Sequence, residues 1–138
     1  MDQFPDVFAL CDFVRQTSFE LHRYLRHGHI EKVYENGLAH RLRKSGLLVE
    51  QQFELAVHDE DGTKLGEYAT DLFVTWPLII EVKACERLVD AHIAQLLGYL
   101  RASRIEHGLI INFGGPKLQI KKLALMDDYP RSLTDPID

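Results

Sequence analysis

Cysteine is nearly absent from this chain of 138 residues: Cys11 and Cys85 stand alone, each in an apolar setting, Ala9-Leu10-Cys11 and Ala84-Cys85. Two such residues cannot build a disulfide framework or a thiolate zinc site, and they read as buried or half-buried free thiols. Long apolar runs are missing as well. No stretch approaches the roughly 18 residues that a membrane-crossing helix needs. The opening Met1-Asp2-Gln3-Phe4-Pro5-Asp6 also lacks the basic start of a secretory signal. A cytoplasmic location without a membrane partner is the expectation. Repeats and low-complexity tracts are absent, and 46% apolar with 27% charged residues is a globular balance. The length suits a single domain over residues 1–138 with a real core, and is short for two.

Positive charge is scarce too. A net charge of -5 argues against a protein that grips nucleic acid by bulk electrostatics alone, because phosphate neutralisation needs clustered Lys and Arg. The distribution is uneven, however. Arg101, Arg104, Lys117, Lys121 and Lys122 face one acid, Glu106, between Tyr99 and Met126. The tail over residues 127–138 is acidic, with Asp127, Asp128, Asp135 and Asp138 against Arg131. A basic surface and an acidic tail are expected to coexist.

What is present is a chain of well-marked elements. Val7, Leu10, Phe13 or Val14, Leu21, and Tyr24 or Leu25 recur at near-helical spacing from Asp6 to Arg26, with a break expected around Thr17-Ser18. Gly28 punctuates, and a second helix is expected from Ile30 to Lys44, stopped by Ser45-Gly46. Two strands, Leu48 to Val57 and Leu65 to Val74, flank the turn Asp59-Glu60-Asp61-Gly62. A third strand, Leu78 to Ala84, follows the Trp76-Pro77 turn. Then come a helix over Leu88 to Ala102 and two strands, from Gly108 to Phe113 and from Leu118 to Leu123, separated by Gly114-Gly115-Pro116. The order αα-βββ-α-ββ points to an α/β protein with a mixed sheet flanked by helices.

The most informative residues sit on the second and third strands. Asp71 precedes Glu81 by ten positions, and Lys83 lies two beyond Glu81, on the same strand face. Mg²⁺ or Mn²⁺ prefers carboxylate oxygens and retains some of its waters, so Asp71 and Glu81 suit such an ion. Lys83 is then placed to orient or deprotonate an attacking water, or to offset charge on phosphorus. This is the layout of a metal-dependent phosphodiesterase. Glu-x-Lys alone is common among solvent-facing strand ends; its force here comes from Asp71 upstream and from the amphipathic helix downstream.

Two helices carry further candidates. Tyr34, Leu38 and Leu42 form one stripe, and Glu31 falls inside the same arc, with Glu35 at its exposed edge. A buried carboxylate needs a cation, a donor or a metal, whereas a first-turn acid is already favoured by the helix dipole; both readings stand for Glu31. On the later helix His92, Gln95 and Tyr99 border an apolar stripe of Val89, Ile93, Leu96 and Leu100. By themselves they read as a helix flank with a snorkelling tyrosine, although a Gln amide and a Tyr hydroxyl also suit a nucleotide phosphate.

Together these residues carry a resemblance. Asp71 with Glu81-Val82-Lys83, followed by Gln95-Leu96-Leu97-Gly98-Tyr99, resembles the PD-(D/E)XK nuclease superfamily, and the Gln-x-x-x-Tyr helix resembles its RecB-type branch. More closely, Gly28-His29-Ile30-Glu31-Lys32-Val33-Tyr34 is similar to the signature of the small bacterial GxxExxY proteins. Glu20-Leu21-His22-Arg23, Glu35-Asn36-Gly37-Leu38, Gly66-Glu67-Tyr68 and Leu109-Ile110-Ile111-Asn112-Phe113-Gly114 extend it, for a coverage of about Thr17 to Leu123. Thr70 stands where the superfamily name has proline, and His29-Ile30 replaces the usual apolar pair.

The resemblance implies a restriction-endonuclease-like fold and a Mg²⁺- or Mn²⁺-dependent deoxyribonuclease. Asp71 and Glu81 would be metal ligands, Glu31 a helix-borne acid reaching the same metal, Lys83 the catalytic lysine, and Gln95 and Tyr99 the supporting pair. Lys117 and Lys121 are the expected contacts to substrate, alongside Gln95 and Tyr99. Nucleic acid is the expected partner, DNA ahead of RNA, and a homodimer would suit cutting of two strands. The competing expectation is a nucleic-acid-binding or assembly module on the same fold that turns over weakly or not at all.

Overall fold

The computed structural model describes residues 3–125; the acidic tail from Asp127 lies outside the described residues. The elements are α1 (Val7–Leu25), α2 (Glu31–Lys44), β1 (Val49–His58), β2 (Lys64–Val74), β3 (Leu78–Lys83), α3 (Asp90–Ser103), β4 (His107–Asn112) and β5 (Gln119–Ala124). Their order is the expected αα-βββ-α-ββ.

Local chemistry explains where the helices start and stop. The Asp6 carboxylate caps α1 by accepting the Ala9 N–H at 2.9 Å. The break expected at Thr17-Ser18 does not occur. Both hydroxyls donate back along the helix, Thr17 to the Phe13 carbonyl and Ser18 to the Val14 carbonyl, each at 2.8 Å, so the two polar groups are satisfied within a continuous helix. Gly46, at φ +94°, ends α2 and donates its N–H to the Arg43 carbonyl, as the sequence led one to expect. Val89 was expected on the apolar stripe of α3. It instead precedes that helix as the N-cap and is half-exposed, because His92 Nδ1 turns back to accept the Val89 N–H at 3.1 Å.

The five strands lie side by side in chain order. All pairs are antiparallel except β3 with β4, which run parallel because α3 carries the chain back across the sheet between them. β3 and β4 are buried on both faces, which is why each carries three consecutive large apolar residues, Leu78-Ile79-Ile80 and Leu109-Ile110-Ile111. On one face Leu72, Val74, Leu78, Ile80, Val82, Leu109 and Ile111 pack with Leu10, Val14 and Leu21 of α1 and Tyr34, Leu38 and Leu42 of α2. On the other, Ile79 and Ile110 pack with Leu96, Tyr99 and Leu100 of α3. Alternation along β3 therefore commits Ile80 and Val82 to the two-helix side, and Glu81 and Lys83 to the side of α3.

Candidate active site

β2 accompanies β3 through three register pairs, ending at Leu72 with Ile80, while its remaining length stays with β1. The next residues in register are Asp71 and Glu81, and there side chains take over from the backbone ladder. The Asp71 N–H donates to Glu81 Oε2 at 3.1 Å, and the Val82 N–H donates to Asp71 Oδ2 at 2.7 Å. The two carboxylates are thus fastened at the point where the strands part. Lys83 stands one pleat further, with Nζ donating to Gln95 Oε1 at 3.3 Å. Asp71, Glu81 and Lys83 are brought together as the spacing predicts, and Gln95, which the resemblance adds, joins them.

The corner is electrostatically loaded. Glu81 is 5% exposed, and burial first, then the charge of Asp71, pushes its carboxyl up to about 8 from 4.5, against the Asp71 N–H and Lys83. Burial likewise raises Asp71, with Glu35 adding to the rise, while the Val82 N–H, Gln52 and Lys83 work the other way. Glu31 is raised by burial and by Asp71, opposed by Lys83 and the Ala84 N–H. Tyr99 is pushed up to about 12, chiefly by burial and then by Glu81, and its ring lies 4.3 Å from that of Tyr68. It forms an inner wall of the corner, and a proton is held firmly on its hydroxyl.

Helix α2 departs from expectation in one respect. Glu35, expected at the exposed edge, is buried at 3%, whereas Glu31 is exposed at the first turn. The reason lies in β1. Gln51 Nε2 reaches Glu35 Oε2 at 2.9 Å, Gln52 Nε2 reaches Oε1 at 3.1 Å, and Lys32 Nζ is 3.1 Å from Oε1, so three donors make the burial tolerable. The Gln52 amide also reaches Asp71 Oδ1 at 3.3 Å, linking the helix acid to the strand acid. Gln52 does this from a left-handed backbone, φ +55°, inside a strand. That kink exchanges the faces of β1: Val49 packs in the two-helix core, while Phe53 and Leu55 pack on the side of α3.

Glu31, Asp71 and Glu81 were expected to converge as three ligands. Among the described residues no three His, Cys, Asp or Glu side chains are grouped closely enough to hold a metal ion. Asp71 and Glu81 form the close pair, and Glu31 acts on them from the rim through its charge. The donors still suit a hard divalent cation: they are all oxygen, Glu81 is buried and Asp71 half-buried, both have a raised pKa, and one lysine faces them. Asp71 and Glu81 are the residues that would hold such an ion, with water completing its shell.

Several residues that support the corner were not among the candidate site residues read from the sequence. Tyr34 is fully buried, its ring stacked 4.8 Å from that of Phe113, and its hydroxyl donates to the Arg26 carbonyl at 2.5 Å and accepts the His29 N–H at 3.2 Å. It thereby fixes the loop that leads into Glu31. Asn112, also fully buried, accepts the Cys85 and Gly114 N–H groups at 3.0 Å each and donates to the Cys85 carbonyl at 3.1 Å. An asparagine inside the run Leu-Ile-Ile-Asn-Phe was the available signal, since a buried amide must be satisfied. Gly114 lies so close to this segment that an added Cβ would fall 2.2 Å from the Cys85 oxygen. Lys117 and Lys121, expected to share the substrate, line separate hollows, Lys117 beside α1 and Lys121 beside the start of α3. His92 serves the cap described above.

A mixed sheet covered by helices on both faces, with an acid, an acid and a lysine where two strands diverge, defines a restriction-endonuclease-like α/β fold. The profile of the PD-(D/E)XK nuclease superfamily matches residues 9–123, most of the chain, and the chain belongs to that superfamily. Its members are nucleases, hydrolases of phosphodiester bonds in nucleic acid that generally use divalent ions. A solved structure titled "Crystal structure of SSO0001" superposes with a TM-score of 0.55 at 18% identity, over 75% of this chain. The likeness covers 55% of that protein, so the present chain corresponds to little more than half of it, and at such identity it bears on the fold alone. No curated protein matches the sequence. No helix among the described residues is long and apolar enough to cross a membrane.

Proposed function

We propose that the chain is a Mg²⁺- or Mn²⁺-dependent nuclease that hydrolyses DNA, and that it belongs to the GxxExxY group within the superfamily. The observation that carries this reading is the corner itself: Asp71 and Glu81 hold each other's strand by N–H to carboxylate bonds, and Lys83 stands beside them on Gln95. A divalent ion held by Asp71 and Glu81 would lower the pKa of water and offset charge on the phosphate. Lys83 orients the attacking water and neutralises charge gathering on phosphorus. Gln95 keeps the ammonium pointed inward, Tyr99 closes the wall behind Glu81, and Glu31 adds a third acid from the helix. Lys117 contacts substrate phosphate beside α1, and Lys121 does so beside the start of α3.

The GxxExxY assignment is supported by the work each signature residue does. Gly28 adopts φ +115°, which side chains resist, Glu31 opens the helix towards the acids, and Tyr34 ties down the loop between them.

Two observations favour a second reading. The absence of a three-ligand cluster among the described residues, with a net charge of -5, suits a module that binds nucleic acid and turns it over weakly. The two readings separate in one assay: linear, nicked, branched and single-stranded DNA, with matched RNA, incubated with Mg²⁺, Mn²⁺ or EDTA. Metal-dependent cleavage of DNA that is lost in Lys83→Ala supports the nuclease. Binding of the same substrates without any cleavage supports the module.

A further inference from the structure

Between the last turns of α1 and the loop joining β4 to β5 lies a groove of about 590 Å³, lined by Phe19, His22, Arg23, Arg26, His27 and Lys117. No acid lines it. Arg23, Arg26 and Lys117 join none of the ion pairs of the described residues, so three permanent cations face the groove with no counter-charge from the described residues. Its walls are fixed. His22 Nε2 meets the Gly115 oxygen at 3.0 Å, which ties α1 to the β4–β5 loop. Arg26 is held at φ +63° by its N–H to the His22 carbonyl at 2.7 Å and by the Tyr34 hydroxyl on its own carbonyl. Phe19, one turn before Arg23, is 44% exposed, an aromatic ring left to solvent among cations.

The groove opens at the same end of the sheet as the acidic corner. The Phe113 N–H donates to the Lys83 carbonyl at 2.8 Å, and Lys117 follows four residues later on the same loop. On the other wall, the segment from Arg26 runs directly into Glu31, whose carboxyl feels the Ala84 N–H next to Lys83.

Cations spaced along a concave wall suit a chain of phosphates, and an exposed ring beside them suits a base that is free to stack. Bases of an intact duplex are already stacked inside the helix and have no use for Phe19. We propose that this groove holds a single-stranded flank of the DNA substrate, with Arg23, Arg26 and Lys117 on its phosphates and one base on Phe19. The proposal rests on the nuclease reading above. It also accounts for how a chain of net negative charge grips a polyanion: the cations are gathered where the strand enters.

Fluorescence anisotropy on the full chain in EDTA tests this without cleavage, using a labelled single-stranded oligonucleotide and a duplex of equal length. Removing two phosphate contacts in Arg23→Ala/Lys117→Ala should weaken single-strand binding and lower the log–log salt slope by about 1.4. Phe19→Ala should weaken single-strand binding by about tenfold and leave duplex binding as it is. All three side chains are surface groups, and unchanged melting midpoints would show the variants folded. Wild-type affinity for single strands in both variants, or equal losses on duplex in Phe19→Ala, would overturn the groove, as would a wild type that binds no single strand. A cleavage assay with Mg²⁺ keeps the two ideas apart. Groove-dependent binding with no cutting sinks the nuclease reading alone, whereas cutting that the variants leave unaltered sinks the groove alone.

Discussion

Asp71 and Glu81 replace a backbone rung with side chains: the Asp71 N–H binds Glu81 Oε2 at 3.1 Å, while Asp71 Oδ2 takes the Val82 N–H at 2.7 Å. Each acid therefore keeps its own place and its neighbour's strand. The arrangement holds a buried carboxylate against a half-buried one, which a setting poor in water resists unless a proton or a cation intervenes.

The proton is the first testable consequence. In metal-free buffer the Glu81 carboxyl titrates near 8 in the folded chain and near 4.5 when unfolded, through burial first and Asp71 second. Between those values the folded state holds a proton that the unfolded state has released. The linked stability is complete below 4.5 and is lost as pH rises through 8. Melting midpoints in EDTA should fall from about pH 5 to about 9 in the wild type, and less steeply in the neutral isostere Glu81→Gln. Some slope remains in the variant because Asp71 and Glu31 are also raised. Identical slopes in both proteins would remove Glu81 as the source.

A cation is the second. Mg²⁺ or Mn²⁺ that binds the native corner alone should stabilise it by about 1.4 kcal/mol at ten times its Kd, and this gain should vanish in Asp71→Asn. At neutral pH the ion displaces the Glu81 proton, so titration calorimetry in buffers of different ionisation enthalpy should record proton release. If the midpoint ignores the ion and Asp71→Asn lowers the metal-free midpoint, the acids are structural partners instead.

Lys83→Ala should cut kcat by roughly 100- to 10,000-fold with substrate affinity near wild type, because the ammonium acts on charge that develops during the reaction. Gln95→Ala, which frees the ammonium without removing it, should cost less than Lys83→Ala. Single-turnover cleavage and anisotropy measure the two quantities separately; turnover by Lys83→Ala at the wild-type rate would take the lysine out of the mechanism.

Tyr34→Phe keeps the ring on Phe113 and deletes the hydroxyl that holds Arg26 and His29. A loss of about 1 kcal/mol in urea unfolding is expected. Hydrogen exchange should quicken at the His29 amide, with the core strands unaffected. Unaltered exchange there would show that the loop is held by other means.

Much of this molecule was legible in its sequence. Periodicity and punctuation placed the elements in order, and Asp71, Glu81 and Lys83 were found by spacing, because strand alternation is a local rule, whereas Gln95 entered through the family resemblance. Thr17-Ser18 misled, since hydroxyls that favour a break in isolation are equally satisfied by a carbonyl one turn back. Lys117 and Lys121 lie close in sequence and looked like one basic surface, yet they line hollows in different parts of the fold.

The sequence by itself determined which residues can ionise, where helices and strands follow one another, and that two acids and a lysine share a short stretch of sheet. Tertiary structure decided which helix acid goes inside. Helical period put Glu31 and Glu35 at neighbouring angles, and the choice fell to Glu35 because Gln51 and Gln52 arrive from β1 with the donors its carboxylate needs. Those donors depend on a left-handed residue at Gln52, a backbone state that no pattern of apolar positions announces. Contacts between segments distant in the chain set the cost of burying each charge, so only the folded molecule chooses between them.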